Sequence, residues 1–386
     1  LSAKISKSNE VDSNSAKISD KPFFENLTGL RFIGALAVFV FHCFTLHREI
    51  WGEFSNSSAF QWIGKIAGKG HLGINLFFTL SGFLITYLLL HEQRKTGSVN
   101  IKHFIMRRTL RIWPLYFLIV IFGFFIYPHL PFGKVTIHEF WRYAIFLSNI
   151  DEVILGAQDS INFLSATWTV SVEEQFYIFF ALILLLFQLI KRYYLLLFFS
   201  LIILSSLIFR FYNLGDERTL YFHTFSVMSD LAFGGILGLL VFKNKLVGWI
   251  KGLRSSQLFL IYLIGLGLIF TDSFYLFGTL SIFERLIPSI FFSFMILEQV
   301  YSEQSFFKVD RIKGFFHAGE ISYGFYMFHC IVLYYMSILF SEMGWVYNIS
   351  GFILYVITSL VCTHVLAHYS YAYFERPFLK LKKFFQ

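Results

Sequence analysis

Arg31 and His42 are the residues of this chain whose types and spacing point most directly to chemistry. They stand eleven positions apart in the first strongly apolar stretch, Leu27 to Leu46. At about 100° per residue, that interval returns a helix to nearly the same face and separates the two side chains by about 16 Å along its axis. Ionisable groups in a membrane-length apolar segment are costly and line an internal cavity, so the pair marks a functional site. A guanidinium suits an anion; an imidazole suits proton transfer or nucleophilic attack.

Other residues could act with them. Arg107, Arg108 and Arg111 form a basic run at the entry to the third apolar stretch, with two guanidinium groups on one face and a third beside them. Such a fork grips phosphate bidentately. It also fits a lipid-headgroup anchor, and Arg31 at the same depth tips the reading toward a phosphate pocket. In the stretch Trp168-Thr-Val-Ser-Val-Glu173-Glu174-Gln175-Phe-Tyr177, Glu173 lies about 8 Å from the outer end of its span, and His42 about 6 Å from the outer end of its own. A carboxylate at that depth is the expected partner that orients His42 and raises its basicity, the arrangement of a general base. Glu173 and Glu174 point about 100° apart, so only one of them faces His42. An acidic cap on the helix N-terminus is the alternative reading. Asn75 and Ser81 on the second span, and Tyr323 and His329 on the ninth, read as supporting groups that hydrogen-bond inside the bundle. Glu320, Tyr323 and Tyr326 form an inward polar stripe, while Asp230, Glu284, Arg285, His364 and His368 make weaker candidates.

The elements that must position these groups are membrane helices. The chain is 56% hydrophobic and 15% charged, with a mean hydropathy of +0.63. Its apolar runs repeatedly reach the length of a bilayer crossing. The expected fold is all-α and polytopic, with about ten transmembrane helices near 27–46, 72–91, 112–130, 168–190, 193–212, 221–242, 257–274, 279–300, 315–340 and 347–370. The net charge of +8 is not a nucleic-acid signal, because the loops on the side of the termini hold 23 Lys and Arg against six on the other side. That bias puts both termini in the cytoplasm and the protein in the cytoplasmic (inner) membrane. Residues 1–22 read as a disordered cytoplasmic tail, 23–376 as the transmembrane domain and 377–386 as a basic cytoplasmic tail. The chain ends sixteen residues after the last span, so no appended soluble catalytic domain is expected. The outer connection 131–167 contains a short apolar segment, 138–150, that reads as interfacial or re-entrant. Asp151, Glu152 and Asp159 make this connection the expected rim of an outward acceptor site. Cys43, Cys330 and Cys362 all fall inside spans and suggest neither a disulfide nor a metal site.

Six blocks then occur in order: Gly29-Leu-Arg31…His42, Gly73-Ile-Asn75-Leu-Phe-Phe…Ser81-Gly-Phe-Leu-Ile, Arg107-Arg-x-x-Arg111-x-x-Pro114, Trp168-x-x-x-x-Glu-Glu-Gln-Phe-Tyr, Ile321-Ser-Tyr…His329 and Phe374-Glu-Arg-Pro377. Together they resemble the acyltransferase family 3 membrane proteins, which O-acylate sugars of cell-surface polysaccharides, lipid-linked glycans (lipopolysaccharide modification among them) and some secreted small molecules. The resemblance implies an O-acyltransferase with a cytoplasmic acyl-CoA, by family default acetyl-CoA, as co-substrate. It implies a glycan or lipid-linked sugar acceptor and no permanently bound cofactor. It also marks Arg31, His42 and the Arg107–Arg111 run as functional. Asn75 stands where many members carry an acidic residue. The form expected here is a stand-alone one, without the C-terminal esterase-like domain of many members.

On this reading CoA phosphates dock on Arg107, Arg108 and Arg111 with Arg31 at the entry, and the thioester reaches His42. His42 then acts as general base or as a covalent acyl relay. The competing reading is a secondary transporter or flippase of an anionic or glycolipid substrate, although no internal repeat is visible.

Overall fold

Inside lipid a chain must satisfy its own backbone N–H and C=O groups, which leaves long apolar runs little choice but helix. The computed structural model of the protein describes residues 24–155, 162–186, 193–346 and 348–385; the tail expected over 1–22 and Asp159 lie outside them. Among the described residues there are seventeen α-helices and no strand. In chain order they are α1 Glu25–Thr45, α2 Ser58–Gly68, α3 Gly73–Thr96, α4 Ile101–Ile121, α5 Phe140–Ala144, α6 Ser148–Leu155, α7 Thr167–Leu186, α8 Tyr193–Tyr212 and α9 Glu217–Phe222. They continue as α10 Thr224–Phe242, α11 Val247–Gly252, α12 Ser255–Phe270, α13 Leu286–Tyr301, α14 Phe315–Glu320, α15 Ser322–Glu342, α16 Ile349–Tyr369 and α17 Arg376–Lys380.

Eight segments, containing α1, α3, α4, α8, α10, α13, α15 and α16, are long and apolar enough to cross a membrane. The protein is an all-α polytopic membrane protein. Helices α7 and α12 occupy the other two expected positions. At 16 residues α12 reaches only about 24 Å, short of the ~30 Å hydrocarbon core.

Three departures from the expected spans matter for the site. Helix α4 starts at Ile101 and not near 112, because the Asn100 side chain caps it, accepting from the His103 N–H at 3.1 Å. Arg107, Arg108 and Arg111 therefore project from a helix and not from a loop. Two expected spans are broken: 221–242 at His223, which is extended and separates α9 from α10, and 315–340 at Ile321, between α14 and α15. Finally, 377–386 is no loose tail. The polypeptide continues through α17 into a 3₁₀ turn, Leu381–Phe385, that packs against α4.

The tightest helix pair is α3 with α10. Gly234 and Gly238 form a small-x-x-x-small face. A Cβ on Gly234 would strike the Thr79 carbonyl, and one on Gly82 the Leu231 carbonyl, so the two backbones touch. Helix α1 packs at the centre against α3, α14 and α15. Thr28 near its start and Lys382 near the other terminus line one cavity, so both ends of the described chain lie at the same end of the bundle.

Gly82→Ala is expected to cost roughly 1–3 kcal/mol by overpacking and to lower the thermal midpoint and monodisperse yield of the purified protein. Gly248→Ala, with nothing within 4 Å of its Cβ, should leave both unchanged. Equal midpoints for the two variants would show that the α3–α10 contact is not tight.

Candidate active site

Two adjoining cavities meet at Arg31. The first, between α1, α3, α4, α7 and α15, is lined by Arg31, Arg108, Arg111, Ser81, Glu173 and Tyr177 together with Thr169, Tyr323 and Tyr326. The second continues from Arg31, Arg111 and Tyr323 to Glu320 of α14 and to Glu375, Tyr371 and Lys382 at the terminus end of the bundle. Arg31, Arg111 and Tyr323 belong to both, so the two form one shaft. Arg108 lies 5.5 Å over the Tyr177 ring and 5.8 Å over Phe104, flanked by aromatic faces that suit a cation. Among the described residues Arg31, Arg111 and Lys382 make no ion pair and no hydrogen bond. Arg107 is different: it donates to Glu92 at 2.8 Å and to the Phe385 carbonyl at 2.7 Å, clipping the C-terminal turn onto α4. Of the expected phosphate fork, Arg108 and Arg111 face the cavity and Arg107 does not. Lys382, overlooked in the sequence because it lies in a short basic tail, joins them.

Glu173 is not the partner of His42. It accepts a 2.5 Å hydrogen bond from Ser81 Oγ and lines the arginine cavity. The depth argument failed because it took α7 to start at the protein's exposed end, whereas its first turn is buried inside the bundle. Thr167 and Trp168 at its start are buried, and Thr167 Oγ1 donates to Leu164 O at 2.6 Å. Counting inward from a recessed start carries Glu173 to the level of Arg108. Glu174 turns the other way and accepts from Trp113 Nε1 at 2.9 Å. Gln175 ties loop to helix, donating to Phe146 O at 2.6 Å and to Asn149 Oδ1 at 2.8 Å. Trp168 packs on Tyr221 and Phe222, with centroids 5.4 and 5.2 Å away.

His42 instead meets His329. Their Nδ1 and Nε2 atoms lie 2.7 Å apart, with the rings within 9° of parallel. His329 Nδ1 is bonded to the Tyr326 carbonyl, which accepts only from an N–H. That fixes the proton of His329 on Nδ1 and leaves Nε2 as an acceptor, so His42 must donate from Nδ1. The lone pair of His42 is then on Nε2. Tyr326 also links this pair to the shaft: its ring is 5.4 Å from His329, and its hydroxyl lies 3.0 Å from Thr169 Oγ1 at the cavity wall. Tyr323, one turn earlier, donates to Ile112 O at 2.8 Å. The three-residue spacing Tyr323, Tyr326, His329 was the available sequence signal for this pairing.

Asn75 lies elsewhere. It donates to Asp230 at 3.0 Å, and that carboxylate also takes Arg285 at 2.5 Å and Ser289 at 2.8 Å. This set is a polar brace between α3, α10 and α13.

The acyltransferase-domain family model matches residues 24–368. The chain belongs to the acyltransferase 3 family. Two Staphylococcus aureus relatives carry O-acetyltransferase names: SACOL0978 of strain COL, 27% identical over 392 residues and 93% of this chain, and OatA of strain NCTC 8325, 27% identical over 382 residues and 94% of this chain. The chain spans 58% of the length of either relative. No solved structure matches it. Five of the six sequence blocks used above lie inside the matched region and the sixth, from Phe374, lies beyond it; the cavity around Arg31 and the His42–His329 pair fall within the matched residues.

Of the acids expected at an acceptor rim, the two among the described residues, Asp151 and Glu152, are buried. Asp151 is fully enclosed and bonded to His138 and Arg142, and Glu152 is 8% exposed. Burial pushes the Glu152 carboxyl up to about 7, only partly offset by His138 and Ser165. With a folded pKa above the ordinary value, the folded state holds a proton that the unfolded state has lost, so stability falls as pH rises from about 4.5 to about 7. The loss is on the order of 3 kcal/mol at about 1.4 kcal/mol per pH unit. Thermal midpoints measured from pH 5 to pH 8 should fall in the native protein and fall less in Glu152→Gln.

Proposed function

We propose that this protein is an O-acetyltransferase that moves an acetyl group from cytoplasmic acetyl-CoA to a hydroxyl of an extracytoplasmic or lipid-linked glycan. The observation that carries this reading is a cavity lined by Arg31, Arg108 and Arg111, with a hydrogen-bonded histidine pair packed behind Tyr326 on its wall. Anionic phosphates of the donor dock on Arg31, Arg108, Arg111 and Lys382, near the side where the positive loops place the cytoplasm. The pantetheine arm runs along α1, whose Arg31-to-His42 distance of about 16 Å spans the interval between phosphate and thioester.

His42 is the catalytic base. Its Nε2 takes the proton of the acceptor hydroxyl as that oxygen attacks the thioester carbonyl; the C–S bond breaks, and the proton passes on to the departing sulfur. The ester and free CoA are the products. His329 positions His42: by accepting from Nδ1–H it holds the tautomer in which Nε2 is basic. Glu173 offsets the arginines and anchors Ser81. The O-acetyltransferase names of the relatives support the acetyl group and the ester linkage.

The test uses purified protein in nanodiscs with labelled acetyl-CoA and a glycan acceptor. His42→Ala should lower the turnover number by at least about 10²-fold. Arg111→Ala should raise the KM for acetyl-CoA by about tenfold or more at a retained turnover number, the cost of one charged hydrogen bond. Undiminished transfer by His42→Ala would remove it from catalysis. Substrate movement without release of CoA would favour a transporter.

A further inference from the structure

We propose that His42, His329 and Cys330 form a site for one soft metal ion of the Zn²⁺ class, and that filling it switches off the catalytic base. Among the described residues they are a set of three donors whose ligand atoms all lie within 4.8 Å of one another. His42 Nδ1 and His329 Nε2 are 2.7 Å apart, and Cys330 Sγ is 3.2 Å from the second and 3.7 Å from the first. Around a tetrahedral zinc, with Zn–N about 2.0 Å and Zn–S about 2.3 Å, neighbouring ligand atoms sit about 3.3–3.6 Å apart. Opening the two imidazoles by a fraction of an ångström is enough.

The chemistry of the set is selective. Two imidazoles and a thiolate suit zinc or copper(I) and not the oxygen-seeking magnesium or calcium. Three protein ligands leave a fourth position for water or acceptor. His329 already has the outer partner that metal-bound histidines use, its Nδ1–H on the Tyr326 carbonyl, which holds Nε2 toward the ion. Cys330 is buried, and acyl transfer as described has no use for a thiol.

The proton balance gives the consequence. Binding takes the lone pairs of His42 Nδ1 and His329 Nε2 and the thiolate of Cys330. The Nδ1 proton of His42 moves to Nε2, and the thiol proton leaves to solvent, so one proton is released per ion. With Nε2 protonated and Nδ1 on the metal, His42 has no lone pair to offer a hydroxyl. The inhibition rests on His42 acting as the base; the binding does not.

The experiment titrates the purified full chain, stripped with chelator, with Co²⁺ and Zn²⁺ and follows acetyl transfer in parallel. Expected are one equivalent of metal, a cobalt–thiolate charge-transfer band, and inhibition by zinc that chelator reverses. Cys330→Ala and the near-isosteric Cys330→Ser should keep metal-free transfer and the native thermal midpoint. They should lose the band and need at least about tenfold more zinc for half-inhibition. No stoichiometric binding to the native chain, or zinc inhibition unchanged in both variants, would overturn the site. Metal binding with the thiolate band in a chain that transfers no acetyl under any condition would leave the site standing and refute the acyltransfer reading instead.

Discussion

Desolvating a guanidinium is tolerable in an apolar bundle only when something compensates its charge, and this bundle treats its cations in two ways. Arg210 is bonded to Ser226, to Glu284 and to the carbonyls of Leu220, Ser281 and Ile282. Arg285 has Asp230, and Arg107 has Glu92 and the Phe385 carbonyl. Those three hold helices and loops together. Among the described residues Arg31, Arg111 and Lys382 make no ion pair or hydrogen bond where they line a shared void, and Glu173 is the carboxylate of α7 that lines the arginine cavity. Breaking or omitting the partner of a buried charge costs several kcal/mol. Pairing Arg210, Arg285 and Arg107 while leaving this group open is what the proposed binding of an anionic donor requires.

The all-helical, membrane-spanning character of the chain was legible because it rests on local rules, run length and helix period. What was not legible depends on where a helix begins. Arg107, Arg108 and Arg111 read as one fork, but the start of α4 at the Asn100 cap rotates Arg107 toward Glu92 and the C-terminal turn. The recessed start of α7 moved Glu173 from the histidine to the arginines. The acidic residues of the outer loop looked like a solvated rim, and a buried Arg142–Asp151–His138 contact set drew them inward instead. Hydropathy gives length along the bilayer normal; it does not give the offset between neighbouring helices, and catalytic pairings depend on that offset.

The histidine pair shows what such an offset achieves. Helix α15 begins at Ser322, after the break at Ile321, and presents Tyr323, Tyr326 and His329 at three-residue intervals. Tyr323 borders both cavities, Tyr326 closes the inner one against Thr169, and His329 meets α1 just beyond. One helix face thus supplies Tyr323 and Tyr326 to the cavity lining and His329 to the contact with α1.

A neutral imidazole as the partner of His42 has a different consequence from a carboxylate. A carboxylate stabilises the imidazolium that forms when the base takes a proton, whereas His329 stabilises mainly the neutral tautomer. The pair therefore fixes geometry more than it raises basicity. In the proposed reaction the driving force then comes from the thioester, which is activated before it arrives, and from holding its carbonyl beside Nε2. It also separates charge along the bundle: guanidinium groups and Glu173 at the donor end, uncharged imidazoles at the transfer end. An acceptor hydroxyl and a thioester are both neutral, so a transfer end without fixed charge has no ionic group to desolvate when the substrates meet.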